Sequence, residues 1–151
     1  LARYPILEEK LMATSNKDWA ALLPPSLIDI ERVADASFAD LPDSFRKLCE
    51  GLVIQVEDFP DDEILDEMEC ETEFDLLGLF HGKDLAHSGA VPESGEPPNM
   101  IWLYRRPILD YWAESDEPLG AVITHVLVHE IGHHFGLSDD DMEAIEARAE
   151  T

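Results

Sequence analysis

The chain mixes stretches whose apolar residues recur at helical spacing with short apolar runs bounded by turn residues. Ser26 offers an N-cap to a helix that carries Ile30, Val33, Ala34, Phe38 and Leu41 on one side, and Pro42 breaks it. Asp43 is expected to cap a short second helix, with Phe45 and Leu48 inside, that stops at Gly51. LVIQVEDF (52–59) has the β-branched content of a strand and ends before Pro60. LLGLFHG (76–82) reads as a second strand followed by a turn. MIWLYRRPIL (100–109) reads as a third, in which Met100, Trp102 and Tyr104 alternate with Ile101, Leu103 and Arg105. Pro107 fits the end or the edge of that strand.

Other stretches lack a period. Residues 1–25, closed by Pro24-Pro25, read as an N-terminal extension, and residues 26–151 as a single domain, since no repeat or linker divides them. Residues 57–75 carry eleven acids and no base, which suits a solvated loop with one helical turn. The DxDxDG pattern of a calcium loop is absent. Residues 82–99 form a Gly/Pro/Ser-rich loop long enough to carry function.

The most informative period lies near the end. Asp116, Glu117 and Pro118 make a helix start, with acids at the positive end of the dipole and proline in the first turn. LGAVITHVLVHEIGHHF follows and stops at Gly136. At about 100° per residue its apolar side chains cover most of the circumference, so the helix is expected to be buried. His129 and His133, four apart, stand one above the other, where two imidazoles can bind one tetrahedral metal. Glu130 is turned only about 60° from His133, so its carboxylate can act as a base on water at the metal. This is HExxH.

The other histidines divide. His134 points about 100° away from His133 and is assigned to packing or to a supporting hydrogen bond. His125 lies one turn before His129 on nearly the same face, but its ring would compete with His129 for space. It is read as a core or supporting residue in preference to a ligand. His81 and His87 sit in or near the strand-turn region, and spacing leaves their place open.

Read forward, the stretch is HExxHxxGxxD. Gly136 accepts the left-handed conformation that reverses the chain, and three residues later Asp139 can return toward the metal as a third ligand. Asp140 and Glu143 are alternatives. Ser138 with Asp141 is also a capping pair for a final helix, DMEAIEARAE, and one segment can do both jobs.

Composition removes several function classes. With 34 acidic and 10 basic residues among 151, the formal charge of −24 repels phosphate backbones, so nucleic acid is not an expected partner. No apolar run reaches the roughly 18 residues of a membrane span. Arg3, Glu8, Glu9 and Lys10 interrupt any signal-like stretch, so a cytoplasmic location is expected. Cys49 and Cys70 lie far apart and read as reduced thiols.

HEIGHHFGLSDDD resembles the zincin metallopeptidases, with the extended metzincin-type spacing and aspartate in place of a third histidine. Taken with ASFADLPDSFRKLCEGLVIQVEDFP, GLFHG and MIWLYRRPILDYW, the chain resembles the small bacterial minimal-zincin family of predicted metallopeptidases over about residues 19–145. The resemblance implies an α+β fold, with a small mixed β-sheet packed against a buried active-site helix and an N-terminal helix. It also implies zinc held by His129, His133 and Asp139, with Glu130 as general base and a peptide or protein as substrate.

For the oxyanion, Tyr104, Tyr111 and His81 are candidates by residue type. The rival expectation is a binding or regulatory protein that keeps the zincin helix but has little turnover, and docks a basic protein partner through its acidic surface. Its motivation is the charge and the dozen residues that follow Asp139, where zincins carry a further subdomain.

Overall fold

The computed structural model describes residues 18–82 and 98–149. Most of the expected N-terminal extension, and nearly all of the loop expected over 82–99, therefore lie outside the described residues. The Ser26 hydroxyl accepts the Asp29 N–H at 3.1 Å, and the Asp29 carboxylate accepts the Ser26 N–H at 2.8 Å. That reciprocal box starts helix α1, Leu27–Ala39, and turns Ile30 and Ala34 into the core. Helix α2, Asp43–Arg46, leads into a 3-10 turn, Lys47–Cys49. Its cap differs from the expectation. Pro42 occupies the N-cap, and Asp43 is the first helical residue, paired with Arg46 one turn on.

Strand β1 is Val53–Glu57, and β2 is Gly78–His81. Between them the acidic stretch contains helix α3, Asp62–Glu67, capped by Asp61, whose carboxylate accepts the Ile64 N–H at 2.9 Å. Strand β3 covers only Met100–Tyr104, and Arg105–Glu114 forms helix α4, which corrects the strand expected to run to 109. Pro107 lies in the first turn of α4, where a missing N–H leaves no intrahelical bond unmade. Arg105 holds the junction: its guanidinium pairs with Asp58 at 3.0 Å, and the Arg106 N–H donates to the Asp58 carbonyl at 3.1 Å.

The sheet order is β1-β3-β2, with β1 parallel and β2 antiparallel to the central β3. Ile101 and Leu103 of β3 point into the core, as does Phe80 of β2, so the period-two pattern buries one face.

Helix α5, Leu119–His134, packs against α1, α4 and β2, and α1 also packs against β1. Seven of its residues are buried, including Ile123, Leu127 and Ile131. It ends in a left-handed reversal: Gly136 has φ +74°, Leu137 N–H donates to the Gly132 carbonyl at 2.9 Å, and Gly136 N–H donates to that of His133 at 3.2 Å. Ser138 and Asp141 then cap helix α6, Asp139–Ala149, through bonds of 3.1 and 3.2 Å. The α+β arrangement implied by the resemblance is the one observed: a small mixed sheet, a buried histidine-bearing helix and an N-terminal helix beside it. Among the described residues no helix is long and apolar enough to cross a membrane.

Helix α6 meets α5 at a glycine. A Cβ on Gly132 would lie 2.6 Å from Sδ of Met142, which is fully buried. Gly132→Val is therefore expected to lower stability by about 1–3 kcal/mol through overpacking. Urea unfolding should show a smaller penalty for that change in a Met142→Ala background, and equal penalties would refute the contact. Cys49 is 1% exposed, and burial pushes its thiol up to about 11. At pH 8 the native protein should therefore expose Cys70 alone to a thiol reagent, with Cys49 reacting only in denaturant. Equal native reactivity of the two would contradict this placement.

Candidate metal centre

Three histidines form a column along α5. The rings of His125 and His129 have centroids 3.9 Å apart at 34°, and those of His129 and His133 are 5.5 Å apart at 83°. The i, i+4 spacing thus brings His129 and His133 to one side of the helix, and it brings His125 there as well. His134 belongs to packing: its ring stands 4.8 Å from Phe80, edge-on. His81 is exposed at the end of β2, and His87 lies outside the described residues.

Glu130 is half-buried, and burial raises its carboxyl above the ordinary carboxylate range, with His133 opposing. A shift in that direction suits a proton acceptor working near neutral pH. Glu130 lines a cavity of about 210 Å³ together with His125, His129, Tyr111 and Asp75. Asp75 comes from the acidic stretch, and it is not merely solvated. Its carboxylate accepts the N–H groups of Glu71 and Thr72 at 2.9 Å each and the Thr72 hydroxyl at 3.0 Å, which closes residues 71–75 into a turn that reaches the cavity at Asp75. Of the three oxyanion candidates, Tyr111 borders this cavity. Tyr104 is fully buried, and burial, with help from Glu57 and Asp61, pushes its hydroxyl up to about 12.

Asp139 is the first residue of α6 and is exposed; the capping bonds are made by Ser138 and Asp141, so its carboxylate is not spent on them. Its charge reaches His129 and favours the protonated ring. The carboxylate set directly against the column is another one. Oε1 of Glu146 lies 2.8 Å from His125 Nδ1 and 3.3 Å from His129 Nε2. His125, His129 and Glu146 are the trio, among the described residues, whose donor atoms all fall within 4.8 Å of one another. His133 and Asp139 stand outside it.

Glu146 did not emerge from the sequence reading, although a signal exists. It sits four residues after the buried Met142 and next to the half-buried Ile145, on the inward side of α6. A carboxylate on that side needs a partner. His125 was visible by spacing, but ring crowding argued against it; the tilted stack removes that objection.

Zinc takes imidazole nitrogen and carboxylate oxygen in tetrahedral sites. His129 and Glu146 fit this requirement, each on its own ground. Burial, reinforced by His125, holds His129 below the usual histidine range despite Glu146, which keeps a lone pair available. Oε1 of Glu146 is buried and accepts no hydrogen bond from either ring, and such an orphan costs about 1–3 kcal/mol unless something else compensates it. A cation would do so.

Among curated proteins no sequence matches the chain. A family profile does: zincin-like metallopeptidase, matched over residues 49–149, from the end of the 3-10 turn through the sheet, α5 and α6. With two thirds of its length in that match, and with HExxH carried on the buried helix within it, the chain belongs to the zincin-like metallopeptidase family.

Proposed function

We propose that the protein is a zinc-dependent peptidase that hydrolyses peptide bonds in a peptide or protein substrate, with Glu130 as general base. The observation that carries this reading is the position of Glu130: half-buried, raised toward neutrality, and lining one cavity with His129. His129 and His133 would hold the zinc, with Asp139 as third ligand from the start of α6. Bound there, zinc supplies a Lewis acid that brings the pKa of water to about 7 and polarises a carbonyl.

The rest falls to side chains. Glu130 accepts the proton of the attacking water and delivers it to the leaving amine, so one carboxylate serves as base and then acid. Burial raises its affinity for that proton, which makes holding it between the two steps less costly. Tyr111 borders the same cavity, and in this reading its hydroxyl would donate to the carbonyl oxygen of a bound chain. Asp75 lines the same cavity, and its negative charge would favour basic side chains in a substrate bound there.

Glu130→Gln should lower cleavage of a peptide library by about 10²-fold or more, with zinc content by elemental analysis unchanged. Unaltered cleavage by that variant would sink the reading. A strong chelator should abolish cleavage and added zinc should restore it; cleavage that survives complete removal of metal would be equally fatal.

A further inference from the structure

We propose that His125, His129 and Glu146 form a second seat for a divalent cation of the zinc class, overlapping the HExxH pair at His129 and independent of His133 and Asp139. The sequence contains two i, i+4 histidine pairs that share a member, His125/His129 and His129/His133. Helix α6 delivers a carboxylate to the first of them. The seat is built from parts that are fixed for other reasons. The histidines occupy consecutive turns of the buried α5, and Glu146 rides on α6, which is set against α5 where Met142 meets Gly132.

The distances suit a metal. Around a tetrahedral zinc with bonds of about 2.0–2.2 Å, neighbouring donor atoms stand roughly 3.3–3.6 Å apart. His129 Nε2 and Glu146 Oε1 are already at 3.3 Å. His125 Nδ1 and the same oxygen, at 2.8 Å, need to open by only about half an ångström. An ordinary histidine–carboxylate pair would account for the proximity, yet the oxygen receives no hydrogen bond from either ring. A hydrogen bond needs an N–H aimed along the line to the oxygen, whereas a cation needs the donors to converge on a point between them.

The seat also has its own approach. His125 and Glu146 line a cavity of about 220 Å³ with Asp40, Glu117 and Thr124, which meets the one that Glu130 lines only at His125. Two further carboxylates on its walls raise the local concentration of cations. His129 offers Nε2 to one ion at a time, so the two seats are alternatives and the chain takes one ion through either. An ion in this seat sits among His125, His129 and Glu146, with His133 outside the trio. Metal content alone then does not report which seat is filled.

The test is zinc titration against a chromophoric chelator in a His133→Ala/Asp139→Asn background, with circular dichroism to confirm folding. Both substituted residues are exposed, and His133→Ala alone serves as a second background. The expected result is one retained zinc equivalent, weakened at least tenfold by adding Glu146→Gln or His125→Ala. A folded background that binds no zinc, or one whose affinity ignores Glu146→Gln, overturns the second seat. If the unaltered chain binds zinc while the background does not, only this inference fails and the peptidase reading stands. If the unaltered chain binds no zinc either, both fall.

Discussion

The approach of α6 to α5 at Gly132 is the constraint on which the candidate metal centre depends. No side chain separates the helices there, and Met142 fills the space from the α6 side. That contact, together with the left-handed turn at Gly136, sets the direction in which the chain returns along the histidine column. One geometry therefore places both carboxylates that concern the site. Asp139 stands at the first residue of α6, and Glu146 faces His125 and His129 two turns later. A bulkier residue at position 132 would move the two together, because both ride on the same helix.

Burial does more than hold the helix in place. Around α5 it works in opposite directions on two neighbouring groups, pushing Glu130 toward the protonated acid and His129 toward the neutral imidazole. Each shift follows from charge being disfavoured away from water. Their combination, a base with raised proton affinity beside a ring with its lone pair free, is the pairing that metal-assisted hydrolysis uses. A helix apolar nearly all round was thus a chemical statement as well as a structural one.

The sequence made the local structure legible where a cap or a period was self-contained. Ser26 with α1, Ser138 with Asp141, and the apolar circumference of α5 were readable because their partners lie within a few residues. A residue with two meanings is not legible in this way. Pro107 ends strands and also begins helices, so the β3–α4 junction was placed too late. In the site, HExxH was legible because its geometry is internal to one helix. Glu146 was not, because it acquires meaning only when α6 folds back on α5, and a glutamate among glutamates carries no local mark. The acidic stretch hid Asp75 for the same reason: eleven acids look alike until one of them closes a turn at the cavity.

Strand β3 passes into α4 without an intervening residue, since Tyr104 both closes the strand and serves as N-cap of the helix. The junction therefore has no slack. Tyr111, seven residues into α4, is indexed to the register of the sheet almost as rigidly as a cog to its shaft. One inserted residue between Tyr104 and Tyr111 would rotate the tyrosine by about 100° and turn it off the cavity. The rim of the cavity beside Glu130 is thus mechanically geared to the pairing of β1, β3 and β2, although no strand residue in the described sheet lines it.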